Sequence, residues 1–113
     1  LSLYDFYIEL SKKVLEDFKK VIEKNGESAT PLKVKKRLNE KLSNWMGSKD
    51  APNMTEIDKH YHVTVSRSVP NNYTIRIVYG VNKVVVITKY DSVENKFVQY
   101  VTKEGTLAPK VDI

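Results

Sequence analysis

The chain has 113 residues, 41% of them hydrophobic and 29% charged, with a formal net charge of +5 and no cysteine. That length suits one domain, 1–113, with a core of its own, and the composition is globular rather than disordered. Disulfides, thiolate nucleophiles and cysteine-ligated zinc are excluded, and no apolar run approaches the ~20 residues of a membrane-spanning helix.

The positive balance favours polyanionic partners: nucleic acid, an acidic protein or an anionic surface. Leu1 rather than Met opens the chain, so a fragment or processed domain is expected. Nothing at the start has the basic, apolar, small-residue order of a signal peptide.

Residues 3–24 have the clearest helical pattern. Tyr4, Ile8, Leu15, Phe18 and Ile22 recur at three- and four-residue spacing, flanked by Tyr7, Leu10, Val14 and Val21. Ser2 and Asp5 form a capping-box pair, and Asn25-Gly26 supplies the stop. Five acids and five bases make this helix neutral, with Glu9 before Lys13 and Glu16 before Lys20 at the supportive spacing.

A second helix is expected over 31–46, after the polar turn Glu27-Ser28-Ala29. Thr30 caps it, Pro31 takes the first helical position where its missing N–H costs nothing, and Gly47 ends it. Val34, Leu38, Leu42 and Trp45 form its inward stripe. Lys33, Lys35, Lys36, Arg37 and Lys41 face only Glu27 and Glu40, so residues 27–47 carry +5 − 2 = +3 of the net charge. Such a cluster is either a solvated face or an edge that holds a phosphate backbone without reading its sequence.

From about residue 59 the period changes from helical to alternating. Strands are expected at about 59–67, 73–79, 83–90 and 96–103, separated by turns at Pro70-Asn71-Asn72, Gly80–Asn82 and Asp91–Asn95. The third is β-branched through its middle and is expected to be central and buried on both faces. Pro109 argues against a strand in the tail, 105–113. Two helices followed by a four-stranded antiparallel meander define an α+β domain, the helices packed on one sheet face and the other face open.

Both histidines lie on the first expected strand, in Lys59-His60-Tyr61-His62-Val63-Thr64-Val65-Ser66-Arg67. Alternation puts His60, His62, Thr64 and Ser66 on one face, with Tyr61, Val63 and Val65 on the other. Thr74 and Arg76 join the open face from the second strand. On the fourth, Phe97 and Val101 compete with Val98 for the core. If Phe97 and Val101 point inward, Tyr100 and Thr102 are open.

Imidazoles, a guanidinium, a phenol and hydroxyls on one face suit RNA cleavage without a metal. A base takes the 2′-OH proton, a cation and hydroxyls hold the phosphorane charge, and an acid protonates the leaving oxygen. Histidine serves either proton role because its ordinary pKa is about 6.5. Two other readings stand beside this one: half-exposed strand histidines with no role, and a zinc-type trio of Asp58, His60 and His62. The chain has no nucleophile elbow, phosphate loop, dinucleotide-binding glycine pattern, zinc-protease helix or EF-hand loop.

In architecture and in these residues the chain resembles the barnase-EndoU-colicin-RelE group of ribonucleases. Within it, the chain is similar to C-terminal toxin domains of bacterial contact-dependent growth inhibition proteins and related polymorphic toxins. The resemblance implies His60 or His62 as general acid or base, Arg76 as the phosphate-holding cation, and Tyr100 with Thr102 on the last strand. The glutamate base of some members has no counterpart on these strands. It further implies a large secreted parent, delivery of the domain to a target cell's cytoplasm, cleavage of RNA, often tRNA, and a cognate acidic immunity protein. Some such toxins need a host translation elongation factor.

The expectation is therefore a ribonuclease toxin domain acting on tRNA or another structured RNA, with no cofactor or metal. Lys33, Lys35, Lys36, Arg37 and Lys41 would hold the backbone, and His60, His62, Arg76, Tyr100 and Thr102 would cut. The alternative is a noncatalytic basic module that binds nucleic acid or an acidic partner.

Overall fold

The computed structural model describes residues 2–25, 30–68, 72–81, 84–91, 94, 96–103, 106–107 and 111–112. Helix α1 spans Leu3–Asn25 and helix α2 Pro31–Met46; strands β1 (Tyr61–Ser68), β2 (Asn72–Tyr79), β3 (Val84–Asp91) and β4 (Lys96–Lys103) follow. Expected features at Gly26, Glu27-Ser28-Ala29, Pro70-Asn71, Asn82, 92–93 and Asn95 lie outside the described residues, as do the side chains of 21–25.

Local chemistry fixes the helix ends. The Asp5 N–H donates to Ser2 Oγ at 3.1 Å, while the Ser2 hydroxyl reaches Asp5 Oδ2 at 2.6 Å, which satisfies a donor that the first turn leaves open. Thr30 Oγ1 accepts from the Lys33 N–H at 3.4 Å, Pro31 opens the helix, and the Gly47 N–H closes it on the Ser43 carbonyl at 3.2 Å.

The four long strands form an antiparallel meander in the order β1-β2-β3-β4. Inward side chains of the sheet, including Val63, Tyr73, Ile75, Ile77, Tyr79, Val86, Phe97 and Val101, share one core with Phe6, Tyr7, Leu10, Val14, Leu15 and Phe18 of α1 and with Val34, Leu38, Leu42 and Met46 of α2. Helix α2 lies over β1, α1 over β3 and β4, and the helices touch each other. The architecture is α+β, with both helices on one side of the sheet.

Four expectations are corrected. The first ladder begins at Tyr61, because Thr55–Lys59 is a turn: the Lys59 N–H donates to the Thr55 carbonyl at 3.2 Å, and Asp58 Oδ2 accepts from Thr55 Oγ1 at 2.8 Å. Strand β3 is central but buried on one face only; Val84, Val86, Thr88 and Tyr90 are buried, Val85 and Ile87 half-buried and Lys89 exposed. Trp45 is half-buried at the helix seam, with Lys13 Nζ 4.7 Å from its ring centre, and Met46 takes the core position. The tail returns to the β4 edge as β5 (Thr106–Leu107) and β6 (Val111–Asp112), two-residue pairings on either side of Pro109. A proline blocks one ladder position and not its neighbours.

Candidate active site

The start of β1 is pinned from both helices. The Tyr7 hydroxyl donates to the Asp58 carbonyl at 2.5 Å, and the Tyr61 hydroxyl to the Asn39 carbonyl at 2.9 Å. Burial, with the Asp58 charge nearby, raises the Tyr7 phenol from 10.0 to about 12, and burial raises Tyr61 as well. Both hydroxyls therefore stay protonated donors, and the turn that delivers the histidines is held in place.

His60 sits one residue before the ladder. Its N–H donates to the Ile57 carbonyl at 3.1 Å and its carbonyl accepts from the Gly80 N–H at 2.8 Å. Gly80 has φ 65°, the left-handed conformation that lets the chain leave β2 directly into its turn. His62 is on the ladder, exposed, on the face away from the helices.

The registers arrange that outer face in rows. One runs His62, Val78, Val85, Thr102; the next runs Thr64, Arg76, Ile87, Tyr100; the third runs Ser66, Thr74, Lys89, Val98. Arg76 is thus directly across from Thr64 and diagonal to His62, a spacing of roughly 7–8 Å between backbones. Tyr100 shares the Arg76 row two strands away, roughly 10 Å, and Thr102 shares the His62 row three strands away, roughly 14 Å. Phe97 and Val101 point inward, which puts Tyr100 and Thr102 on the open face.

The structure brings together His62, Thr64 and Arg76, with His60 just beyond the strand. It sets Tyr100 and Thr102 apart, behind an aliphatic middle of Val78, Val85 and Ile87, all half-buried. Thr102 Oγ1 leans back onto the Val85 carbonyl at 3.4 Å. The β-branched run Val84-Val85-Val86-Ile87 has no polar residue of its own, and only Lys89, at the parity of Val85 and Ile87, marks this greasy strip as outward-facing.

Sequence reasoning also missed Lys89, exposed in the third row with its ammonium 5.8 Å from the Tyr100 ring centre. Its parity with Val85 and Ile87 was the signal. The zinc-type trio does not assemble: Asp58 Oδ2 is engaged by Thr55, and no group of three metal-ligating side chains occurs among the described residues.

Lys33, Lys35, Lys36 and Arg37 are exposed on α2, whereas Lys41 Nζ pairs with Asp17 Oδ2 of α1 at 3.1 Å and sits at the helix seam. Because α2 packs on the inner sheet face and His62 is on the outer one, the basic cluster and the histidine are on opposite sides of β1. Strand β1 is the edge of the sheet, so a polyanion touching both must pass around that edge. Among the described residues, no helix is long and apolar enough to cross a membrane. Comparison with protein-family models, curated proteins and solved structures yields no match.

Proposed function

We propose that the domain is a metal-independent endoribonuclease, the toxin portion of a contact-dependent growth inhibition system, acting on tRNA or another structured RNA. The observation that carries this reading is the exposed trio His62, Thr64 and Arg76 at the edge of the open face, two of them direct cross-strand partners. In the reaction the 2′-oxygen attacks the adjacent phosphorus and the bond to the 5′-oxygen breaks. One imidazole takes the 2′-OH proton, and a second imidazolium, or the first now protonated, gives a proton to the departing 5′-oxygen as its bond to phosphorus breaks. Arg76 holds the non-bridging oxygens through its planar fork, and Thr64 adds a hydroxyl donor.

His60 is the second proton carrier in this scheme. RNA bound at the histidines continues around the β1 edge onto Lys33, Lys36 and Arg37. An acidic immunity protein that covers this basic edge fits the same reading, and so do a secreted parent protein, entry of the domain into a target cell's cytoplasm and help from a host elongation factor.

The test is incubation with total bacterial RNA in EDTA. Wild type yields discrete fragments, and a folded His60→Ala/His62→Ala double variant yields none. Equal cutting by both proteins removes the histidines from the site. Intact RNA in both lanes, also after adding cell extract, favours the second reading, a noncatalytic basic module. The aliphatic strip that separates Tyr100 and Thr102 from His62 is the observation on its side.

A further inference from the structure

An open cavity of about 380 Å³ lies on the outer sheet face, and Ser68, Asn72, Thr74, Lys89, Val98 and Tyr100 are among the residues that line it. That volume is within the range of roughly 300–1,000 Å³ usual for small-ligand sites. We propose that this cavity is a nucleotide subsite, seating the residue next to the scissile phosphate with its base on Tyr100 and its own phosphate on Lys89. The inference rests on the ribonuclease reading and adds to it where the neighbouring nucleotide goes.

Placement is the first argument. Thr74 precedes Arg76 by two residues on β2 and shares its face, a step of roughly 7 Å along the strand. Tyr100 belongs to the Arg76 row and Lys89 to the Thr74 row, so the cavity begins where the phosphate-holding row ends. A polynucleotide with one phosphate at Arg76 has its next nucleotide at this cavity.

Chemistry is the second. The cavity combines an aromatic face, a cation and hydroxyl or amide groups, the set that takes a base by stacking, a phosphate by charge and base edges by hydrogen bonds. The described lining residues include no carboxylate, and by register Asp112 stands across from Val98 on the side away from Lys89. The Lys89 ammonium already lies over the Tyr100 ring. Its flexible stem lets it move to a phosphate and free the ring face for a base.

The test is an NMR titration of the 113-residue domain with nucleoside monophosphates, beside inorganic phosphate and the free nucleosides. Saturable shifts at Thr74, Lys89, Val98 and Tyr100, with binding about tenfold weaker to Lys89→Ala and to inorganic phosphate alone, support the subsite; tenfold is the size expected for one charge-assisted contact. Shifts confined to other residues, equal binding by Lys89→Ala, or phosphate binding as well as the nucleotides do, overturns it. Thr74→Val is the second variant, expected to weaken nucleotide but not phosphate binding. RNA cleavage without seating here sinks the subsite and spares the ribonuclease reading. Seating here without RNA cleavage by wild type sinks the ribonuclease reading and leaves a nucleotide-binding cavity with no scissile phosphate beside it.

Discussion

Tyr7 of α1 stacks on Tyr79 of β2, ring centres 4.5 Å apart and planes within 8° of parallel. The pair ties the first helix to the strand beside the histidines, and burial raises the pKa of both phenols above the ordinary 10.0, Tyr7 to about 12. A raised folded pKa contributes stability in full below about pH 10 and loses it as pH climbs through the folded value. In an alkaline titration, Tyr7 and Tyr79 should form tyrosinate only as the circular dichroism collapses. Complete ionisation of all seven tyrosines by pH 11 with the fold intact would contradict this.

The Tyr79 hydroxyl shares a buried hydrogen bond with Ser11 Oγ at 2.6 Å. Either Ser11→Ala or Tyr79→Phe leaves a buried polar group without its partner, at about 1–3 kcal/mol. The double variant should be less destabilised than the sum of the singles, since no orphan remains. Denaturant unfolding of the four proteins measures the coupling, and strict additivity would count against a shared bond.

Thr88 and Gln99 are cross-strand partners on the inner face, and among the described residues Thr88 Oγ1, Gln99 Nε2 and Gln99 Oε1 are buried without hydrogen-bond partners. Gln99→Met keeps the shape and removes two of those atoms. It should raise stability by about 1–3 kcal/mol, seen as a higher denaturant midpoint at unchanged slope. A loss of stability would mean that Gln99 is satisfied in solution by a group such as bound water.

Lys33, Lys36 and Arg37 are free to meet phosphates, whereas Lys41 is drawn to Asp17. Replacing the three by Ala should reduce the slope of log affinity against log salt for single-stranded RNA by up to about 2, at ~0.7 per lost phosphate contact. Lys41→Ala should change that slope less, and its stability cost should stay within about 1 kcal/mol because the pair is partly exposed. An unchanged slope in the triple variant would move the RNA path off α2.

On the ribonuclease reading, His62→Ala should lower the cleavage rate by about 10²–10⁴-fold, the usual worth of a positioned acid or base. Arg76→Lys keeps the charge and loses the two-pronged grip, so it should fall between wild type and Arg76→Ala. Single-turnover assays at saturating RNA separate these effects from binding. Indistinguishable rates for Arg76→Lys and Arg76→Ala would show that the guanidinium contributes geometry alone.

The helix ends and the four long strands were legible because their signals are local: Ser2 with Asp5, Thr30-Pro31, Gly47, and a change of period near residue 60; the start of β1 and the short tail strands were not. The α+β class followed from the order of those elements. The half of the site on β1 and β2 was readable too, since alternation alone puts His62, Thr64 and Arg76 on faces that antiparallel pairing must join. The rest depends on distance along the chain. Which of Phe97 and Val98 turns toward the helices, how far Tyr100 lies from His62, and the closeness of Lys89 to Tyr100 are all set by the β3–β4 register and by α1 packing over it. Residues far apart in sequence fix those, and no local pattern encodes them.

By itself the sequence determined the two helices and the order of the four long strands, because caps, prolines, glycines and hydrophobic period act over a few residues. Only the tertiary structure decided that Val78, Val85 and Ile87 separate Tyr100 and Thr102 from His62, and that Lys89 lies over Tyr100. That arrangement follows from the register of β2, β3 and β4, which the whole core sets at once.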